Sequence, residues 1–327
     1  MADRPIRWGI LSTGGIAEKF TEDLRLVPDA EVLAVGSRSL EAARKFADRY
    51  AIPRAYGSWR ELADDTDVDV VYVATPHQAH HPAALLCLEA GRAVLCEKPM
   101  TLDAASSAHL IEAARERGVF LMEAMWTRCM PAVRRLVELV ADGAIGDVTV
   151  VHAEFGLGGP FAPEHRLRNP TLGGGALLDL GIYPVTLAHL VLGAPAEVRA
   201  WARLGPEGTD ENTALILGYE SGAVASLTCG IVGATSNRAT VTGTTGRIEL
   251  PRSFHHPRQL TVYRPDAEPE VVDAGFEGEG YQFEAIEVQR CLRAGLTESP
   301  LVPWATTLEV MSILDTARTQ IGVTYPA

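Results

Sequence analysis

The stretch that decides the fold is Ile6-Arg7-Trp8-Gly9-Ile10-Leu11-Ser12-Thr13-Gly14-Gly15-Ile16-Ala17. A short apolar run ends in glycines and passes at once into a helical pattern from Ile16 to Leu26. Set against the glycine fingerprint of a βαβ nucleotide site, it reads Ser12-x-Gly14-x-x-Ala17. Gly14 lets the backbone approach a pyrophosphate, and Ala17 permits close packing of helix on strand. The helix that begins near Gly15 turns its first amides toward an anion. Ser12 stands where the fingerprint has its first glycine. Alone the motif is weak; between a strand and a helix, at the head of a βαβ unit, it is strong. The competing account is a tight turn with no ligand.

Outward from this point, strand and helix alternate. Glu31 to Val35 reads as a strand. Leu40 to Tyr50 reads as a helix with Leu40, Ala43, Phe46 and Ala47 on its apolar face. Val68 to Ala74 is an apolar run broken only by Asp69, the mark of a strand covered on both sides. Helix Pro82 to Ala90, strand Ala93 to Cys96, helix Leu102 to Arg117 and strand Val119 to Met122 follow. This alternation predicts a doubly wound parallel sheet, a Rossmann domain over residues 1–124.

Beyond residue 124 the pattern changes. A helix from Pro131 to Ala141, a strand from Val148 to Phe155, a Gly/Pro-rich loop to about Gly175 and a helix from Ala176 to Leu192 come first. Glu197 to Val272 reads almost wholly as strand and turn, with hairpin signals at Glu220-Ser221-Gly222 and Gly243-Thr244-Thr245-Gly246. Helices from Tyr281 to Ala294 and Thr306 to Ile321 close the chain. The expectation for 125–327 is an α+β domain on a large, mostly antiparallel, open-faced sheet that binds substrate. A length of 327 residues suits two domains at about 150 residues each.

Composition narrows the function classes. With 47% hydrophobic and 22% charged residues, the chain is not mainly disordered. A net charge of −13 argues against nucleic acid and anionic membranes as partners, since both require positive charge. No stretch of about 18 residues is free of charge, proline and glycine, which argues against a membrane span. Cys87, Cys96, Cys129, Cys229 and Cys291 form no CxxC pair, and an odd count reads as reduced, buried thiols. Met1-Ala2-Asp3-Arg4-Pro5 leads straight into a strand without an apolar signal segment, so the expected compartment is cytoplasmic.

The residues that carry chemistry lie at strand ends and on one helix. After the second strand an NAD site usually has an acid for the ribose hydroxyls. Here the chain reads Val35-Gly36-Ser37-Arg38-Ser39, and a hydroxyl with a guanidinium suits a 2′-phosphate. NADP is therefore expected, with NAD possible. Glu97-Lys98-Pro99 follows the strand Ala93 to Cys96, and Pro99 holds Lys98 extended. That edge of the sheet makes Lys98 a catalytic candidate. In Gly173-Gly174-Gly175-Ala176-Leu177-Leu178-Asp179-Leu180-Gly181-Ile182-Tyr183, Asp179 and Tyr183 share a helical face. A tyrosine is a poor base at neutral pH unless an ammonium favours its phenolate, and Lys98 can supply one. A buried Asp–Tyr hydrogen bond is the plainer account of that pair.

The expected cofactor site thus takes Gly9, Ser12, Thr13, Gly14, Gly15 and Ile16 from the first loop. Ser37 and Arg38 come from the second, and Ala74, Thr75, Pro76, His77 and His80 from the third, with Glu97 and Lys98 from the last. Trp126, Phe155, Phe254 and Phe276 are candidates for a ring-binding pocket with Asp179 and Tyr183, because aromatic faces pack on apolar ring faces. His77 and His80 lack the acids or thiols that would complete a metal site, so no metal is expected. His81, His109 and His189 read as structural.

The strings at 9–17, 96–99 (Cys-Glu-Lys-Pro) and 174–183 resemble the glucose–fructose oxidoreductase/inositol dehydrogenase (Gfo/Idh/MocA) family, over nearly the whole chain. Many members carry histidine in place of Tyr183. The tyrosine, with Phe-Leu-Met-Glu-Ala-Met-Trp-Thr-Arg at 120–128, Ala-Glu-Phe-Gly at 153–156 and Ile-Gly-Val-Thr-Tyr-Pro at 321–326, is similar to one branch. That branch is the dimeric dihydrodiol dehydrogenases, which also act as NADP-dependent D-xylose dehydrogenases. The resemblance implies Lys98 and Tyr183 as a catalytic pair and Asp179 near the substrate hydroxyls. It places His77, His80, Trp126 and Phe155 around the pocket, and implies a homodimer formed through the open face of the C-terminal sheet. The branch can carry a second arginine on the helix after Arg38. Here that turn reads Glu41-Ala42-Ala43-Arg44, so the second grip is absent or moved to Arg44.

The expected activity is oxidation of a sugar or cyclic diol by hydride transfer to NADP. Alternatives are reduction of a keto- or anhydro-sugar by the same residues, a non-catalytic NADP-binding sensor, and glycoside hydrolysis through transient oxidation.

Overall fold

The N-terminal apolar run becomes β1 (Ile6–Leu11), in which Ile6, Trp8, Ile10 and Leu11 are fully buried. Strand side chains alternate between faces, so this pattern requires cover on both. The computed structural model describes residues 4–325; Met1-Ala2-Asp3 and Pro326-Ala327 lie outside. After β1 come α1 (Gly15–Leu24), β2 (Ala30–Gly36), α2 (Leu40–Tyr50), β3 (Arg54–Tyr56), α3 (Trp59–Ala63), β4 (Val70–Val73), α4 (His80–Glu89), β5 (Ala93–Glu97), α5 (Ala104–Arg117) and β6 (Leu121–Ala124). The strands form one parallel sheet in the order β3-β2-β1-β4-β5-β6. Chain order reverses at β1 and β4, the switch point beside which such sheets bind ligands at their carboxyl edge.

Local chemistry sets the helix ends. The Ser39 hydroxyl accepts the Ala42 amide at 3.3 Å and caps α2, whose Ala43, Phe46, Ala47 and Tyr50 are buried. Leu40, expected on that face, is exposed. Neither β3 nor α3 is announced by the sequence, for both are too short to show a period.

The second segment begins with α6 (Pro131–Ala141), β7 (Val148–Gly156) and α7 (Ile182–Leu192). Then come β8 (Glu197–Leu204), β9 (Asp210–Gly218), β10 (Val224–Gly230), β11 (Ala239–Gly243), β12 (Gly246–Leu250), β13 (Gln259–Tyr263) and β14 (Glu270–Asp273). They build an eight-stranded sheet, β14-β13-β12-β11-β7-β10-β9-β8, antiparallel except where β7 and β10 run parallel. One face buries Val151, Ala153, Leu215, Leu217, Ala225, Leu227 and Val241. The helix expected from Ala176 begins instead as a π-helical turn, Leu177–Gly181, before α7. Pro170–Leu192 is apolar and long enough to cross a membrane, yet 83% of its window is buried inside the protein, as a core helix is.

The chain divides into two compact units: Met1–Cys129 with Glu277–Leu308, and Met130–Phe276 with Glu309–Ala327. The contiguous division at 124/125 read from the sequence differs from this arrangement, because α8 (Gln282–Arg293) returns to the first unit. Asp23 on α1 accepts the amides of Glu279, Gly280 and Tyr281 at 3.0, 2.8 and 2.8 Å. Trp126 stacks on Tyr281 with centroids 4.1 Å apart, and Trp304 donates its indole N–H to the Leu121 carbonyl at 2.9 Å. Such long-range polar anchors leave no periodic trace in sequence. α9 (Trp304–Ile321) starts in the first unit and ends in the second.

Candidate active site

In the first unit the expected cofactor residues gather at the carboxyl edge of the parallel sheet. Ser12–Gly15 follow β1, Ser37 and Arg38 follow β2, Ala74–His77 follow β4, and Lys98 follows β5. No side chain caps the start of α1 at Gly14. A Cβ added to Gly14 or Gly15 would meet nothing within 4 Å, so the space beside the start of α1 is open. The hydroxyl of Thr75, 7% exposed, has no hydrogen-bond partner. These features fit a nucleotide pyrophosphate at the helix N-terminus. Ser12 adopts φ +115°, a region that favours glycine. The fingerprint's first position thus keeps its backbone demand with a different side chain, at a strain of about 1–3 kcal/mol. Ser37 is half-buried, Arg38 is exposed, and among the described residues no carboxylate forms an ion pair with Arg38.

Three expected cofactor residues have other surroundings. Gly9 lies inside β1, where a Cβ would come within 3.1 Å of Leu62 and Val68; it is a packing glycine. Glu97 is turned inward, accepting the Tyr72 hydroxyl and, at 3.1 Å, the Lys98 amide. His80 is fully enclosed, its Nδ1 2.8 Å from the Pro99 carbonyl and its Nε2 2.7 Å from that of Thr75. It ties the loop after β4 to the loop after β5. Two carbonyls suit an imidazolium, but burial outweighs them and, with His77 and Lys98 nearby, pushes its pKa down to about 3. The ring is neutral and donates one hydrogen bond. His77 packs edge-on against it at 5.5 Å, and the Lys98–Pro99 peptide is cis.

Behind Glu97 lies a second acid that the sequence reading passed over. Glu284 of α8 has no exposed surface and no partner for either carboxyl oxygen. Burial, with the Glu97 and Asp23 carboxylates adding to it, pushes its pKa well above the usual carboxylate range. Trp126 is buried against Tyr281 in this unit.

In the second unit Asp179 and Tyr183 stand on the π turn and α7, both nearly buried. Gly175 makes this helix start possible. Its φ is +120°, and a Cβ there would lie 2.2 Å from Asp210 Oδ1. Asp210 accepts the Leu177 amide at 2.7 Å and the Thr213 hydroxyl at 2.6 Å, holding the helix entry from β9. Asp179 is paired with Arg166, which donates from Nη2 at 3.0 Å. Tyr183 lies among rings: Phe155 at 5.5 Å and His255 at 4.9 Å between centroids, with His255 stacked on Phe155 at 4.4 Å. Phe254, expected to line the pocket, has no exposed surface and backs Phe155 edge-on at 6.3 Å. The adjacent His255, rather than Phe254, is the ring beside Tyr183. Phe276 is half-buried beneath the Arg258 guanidinium.

Residues 6–125 match the family model described as the oxidoreductase family with an NAD-binding Rossmann fold, and residues 133–249 match the GFO/IDH/MocA C-terminal domain. The chain belongs to the GFO/IDH/MocA oxidoreductase family. It is 43% identical over 330 residues to the trans-1,2-dihydrobenzene-1,2-diol dehydrogenase of Mus musculus, covering 98% of each chain. The Homo sapiens enzyme of that name is 41% identical with the same coverage. Among solved structures, a 3-ketoreductase from Actinomadura kijaniata in complex with NADP and TDP-benzene superposes with a TM-score of 0.88. It is 30% identical, with 99% of this chain and 100% of that one covered.

This GFO/IDH/MocA protein is an NAD(P)-dependent oxidoreductase, as its motifs lead one to expect. Arg166, His255 and Asp210 escaped the sequence reading. Arg166 and His255 sit in loops without periodicity, and Asp210 reads as the first residue of a strand. Only the aromatic neighbour Phe254 pointed toward His255.

Proposed function

We propose that this enzyme oxidises a CH–OH group of a sugar or cyclic diol, with NADP as the preferred cofactor. The observation that supports it best is the open, uncapped N-terminus of α1 at Gly14–Gly15, together with Ser37-Arg38 after β2 where an acid would favour NAD. When bound, the nicotinamide takes up or returns a hydride. Tyr183 removes the proton of the reacting hydroxyl, and the family resemblance pairs it with Lys98, since an ammonium is what favours a phenolate. Asp179, fixed by Arg166 and the Asp210-held helix entry, orients substrate hydroxyls. The printed names of the dihydrodiol dehydrogenase relatives support this reading; that of the 3-ketoreductase supports the reverse reaction on a keto-sugar by the same groups. The test mixes protein, NADP and a panel of aldoses and cyclic diols and follows the absorbance of reduced cofactor. Tight NADP binding with no reduction across the panel favours the non-catalytic sensor instead.

Cofactor choice is testable separately. Losing one charge-assisted contact to a phosphate costs about 1.5–3 kcal/mol. Arg38→Ala is expected to raise the Kd for NADP roughly tenfold to hundredfold and leave that for NAD nearly unchanged, as read by fluorescence titration. Equal effects on both cofactors would remove Arg38 from the 2′-phosphate site.

We also propose a homodimer through the outer face of the second unit's sheet. Strand register places Val150, Trp201, Ile216 and Val224 on this one face, all exposed, with Trp201 72% exposed. Exposed apolar side chains gathered on one face are a feature of interaction surfaces, and tryptophan often dominates them. Trp201→Arg should convert a dimer to a monomer in light-scattering mass measurement; an unchanged mass places the interface elsewhere.

A further inference from the structure

Glu123 is the acid in the string Phe-Leu-Met-Glu-Ala-Met-Trp-Thr-Arg at 120–128, and the proposed chemistry leaves it without a task. We propose that Glu123 is a positioning residue for Lys98: it fixes the loop that carries the ammonium, and its carboxylate keeps that ammonium protonated. The proposal rests on the reading of Lys98 as the cation that favours the Tyr183 phenolate.

Glu123 lies near the carboxyl end of β6, beside Cys96 of β5, and its side chain is buried. Its Oε1 accepts the Met100 amide at 3.0 Å, and its Oε2 accepts the Thr307 hydroxyl at 2.9 Å. One acid thus ties the loop after β5 to β6 and to the start of α9, all within the first unit. On the other flank His80 Nδ1 lies 2.8 Å from the Pro99 carbonyl. The backbone that carries Lys98 is therefore gripped at each of the two residues that follow it. Burying a carboxylate is costly, and a neutral amide could accept the Met100 N–H at less expense. An acid at this place calls for a use of its charge.

The neighbouring groups show which charge it serves. Burial pushes the pKa of His80 down to about 3 and that of the Cys96 thiol well above its usual range, so both are neutral. His77 packs edge-on against His80, and Glu97 accepts the Lys98 amide and the Tyr72 hydroxyl. Arg128, on the turn after β6, donates from Nε to the Leu301 carbonyl at 2.7 Å, and burial lowers its pKa. For Glu123 itself burial pushes the pKa up, while the Thr307 hydroxyl, the Met100 amide and the charges of Arg128 and Lys98 pull it back. The Met100 amide can only donate, so the ionised carboxylate suits its partners. Coupling between two charges is mutual. Whatever Lys98 contributes to keeping Glu123 ionised, Glu123 returns in keeping Lys98 protonated.

The chain has three lysines, Lys19, Lys45 and Lys98, so carbon-13 labelling of lysine gives three side-chain NMR signals, and Lys98→Arg assigns one of them. Titrated in the full chain, Lys98 should have a pKa about one unit lower in Glu123→Gln than in wild type, because an ammonium loses its neighbouring anion. Glu123→Asp keeps the charge but withdraws it by one bond, and should lower the pKa by less than about half as much. Glutamine retains an oxygen for the Met100 amide, so a merely structural role would leave the titration unmoved. A Lys98 pKa within about 0.2 unit of wild type in Glu123→Gln overturns the inference. Should the glutamine variant fail to fold, the aspartate variant decides: a downward shift supports the inference and an unmoved titration overturns it. The alkaline limb of kcat/KM, followed with NADP and D-xylose, should move down by the same amount as the Lys98 titration. A Lys98 pKa that falls while this limb stays in place supports the hold of Glu123 on Lys98 and overturns instead the part given to Lys98 in the chemistry.

Discussion

Tyr183→Phe should reduce kcat about a hundredfold to ten-thousandfold while NADP binding and the fold persist. Phenol removal takes away the one group proposed to accept the hydroxyl proton, and positioned acid–base groups contribute about 10²–10⁴-fold. The ring itself is untouched. It stays beside Phe155 and His255, so no cavity opens and the melting temperature should stay close to wild type. The proposed nucleotide contacts at Gly14, Gly15 and Arg38 belong to the first unit, whereas Tyr183 belongs to the second. The Kd for NADP, measured by fluorescence, should therefore remain within about twofold of wild type. Turnover within tenfold of wild type would remove Tyr183 from the chemistry. Loss of both turnover and cofactor affinity would mark it as structural.

The second large effect is on stability. Asp23→Ala should destabilise the protein by about 4 kcal/mol. Its buried carboxylate accepts three successive amides, from Glu279, Gly280 and Tyr281, at 2.8–3.0 Å. Hydrogen bonds to a charged group are worth about 1.5–3 kcal/mol each, and an orphaned buried donor costs about 1–3 kcal/mol. Non-additivity and entering water reduce the sum. Asp23→Asn retains one acceptor oxygen and should lose about half as much. Urea unfolding followed by tryptophan fluorescence reports on the right place, because Trp126 is stacked on Tyr281 beside these amides. An alanine variant within about 1 kcal/mol of wild type would show that the three amides find other partners.

The elements with strong periodicity or sharp punctuation were legible in the sequence. β1, α2 and α6 have the expected ends, and both hairpins form where glycine turns announced them. The carboxyl edge of the first sheet was legible as well, because the glycine loop, Ser37-Arg38 and Lys98 each follow an apolar strand. What stayed hidden depends on distant residues. The short β3 exists only by pairing with β2. Gly9 and Gly14 look alike in sequence, yet one packs against Leu62 and the other opens to space. Glu284 sits in an ordinary helical pattern, and nothing local tells that all of its surface is covered. His80 reads as a pocket residue until the carbonyls of Thr75 and Pro99 are placed on either side of it.

The return of residues 277–308 to the first unit has a consequence for biosynthesis. Translation proceeds at about 5–20 residues per second, so the ribosome needs roughly 10–35 s between finishing Cys129 and finishing Leu308. For most of that interval Asp23 lacks its amides, Trp126 lacks Tyr281, and the Leu121 carbonyl awaits the Trp304 indole. The nascent nucleotide unit is thus an incomplete body that must be kept from sticking to its neighbours while the larger sheet emerges. A circular permutant opened in the loop before Glu277 would deliver both parts of that unit with only residues 309–327 between them, and would shorten the exposure without altering a single side chain.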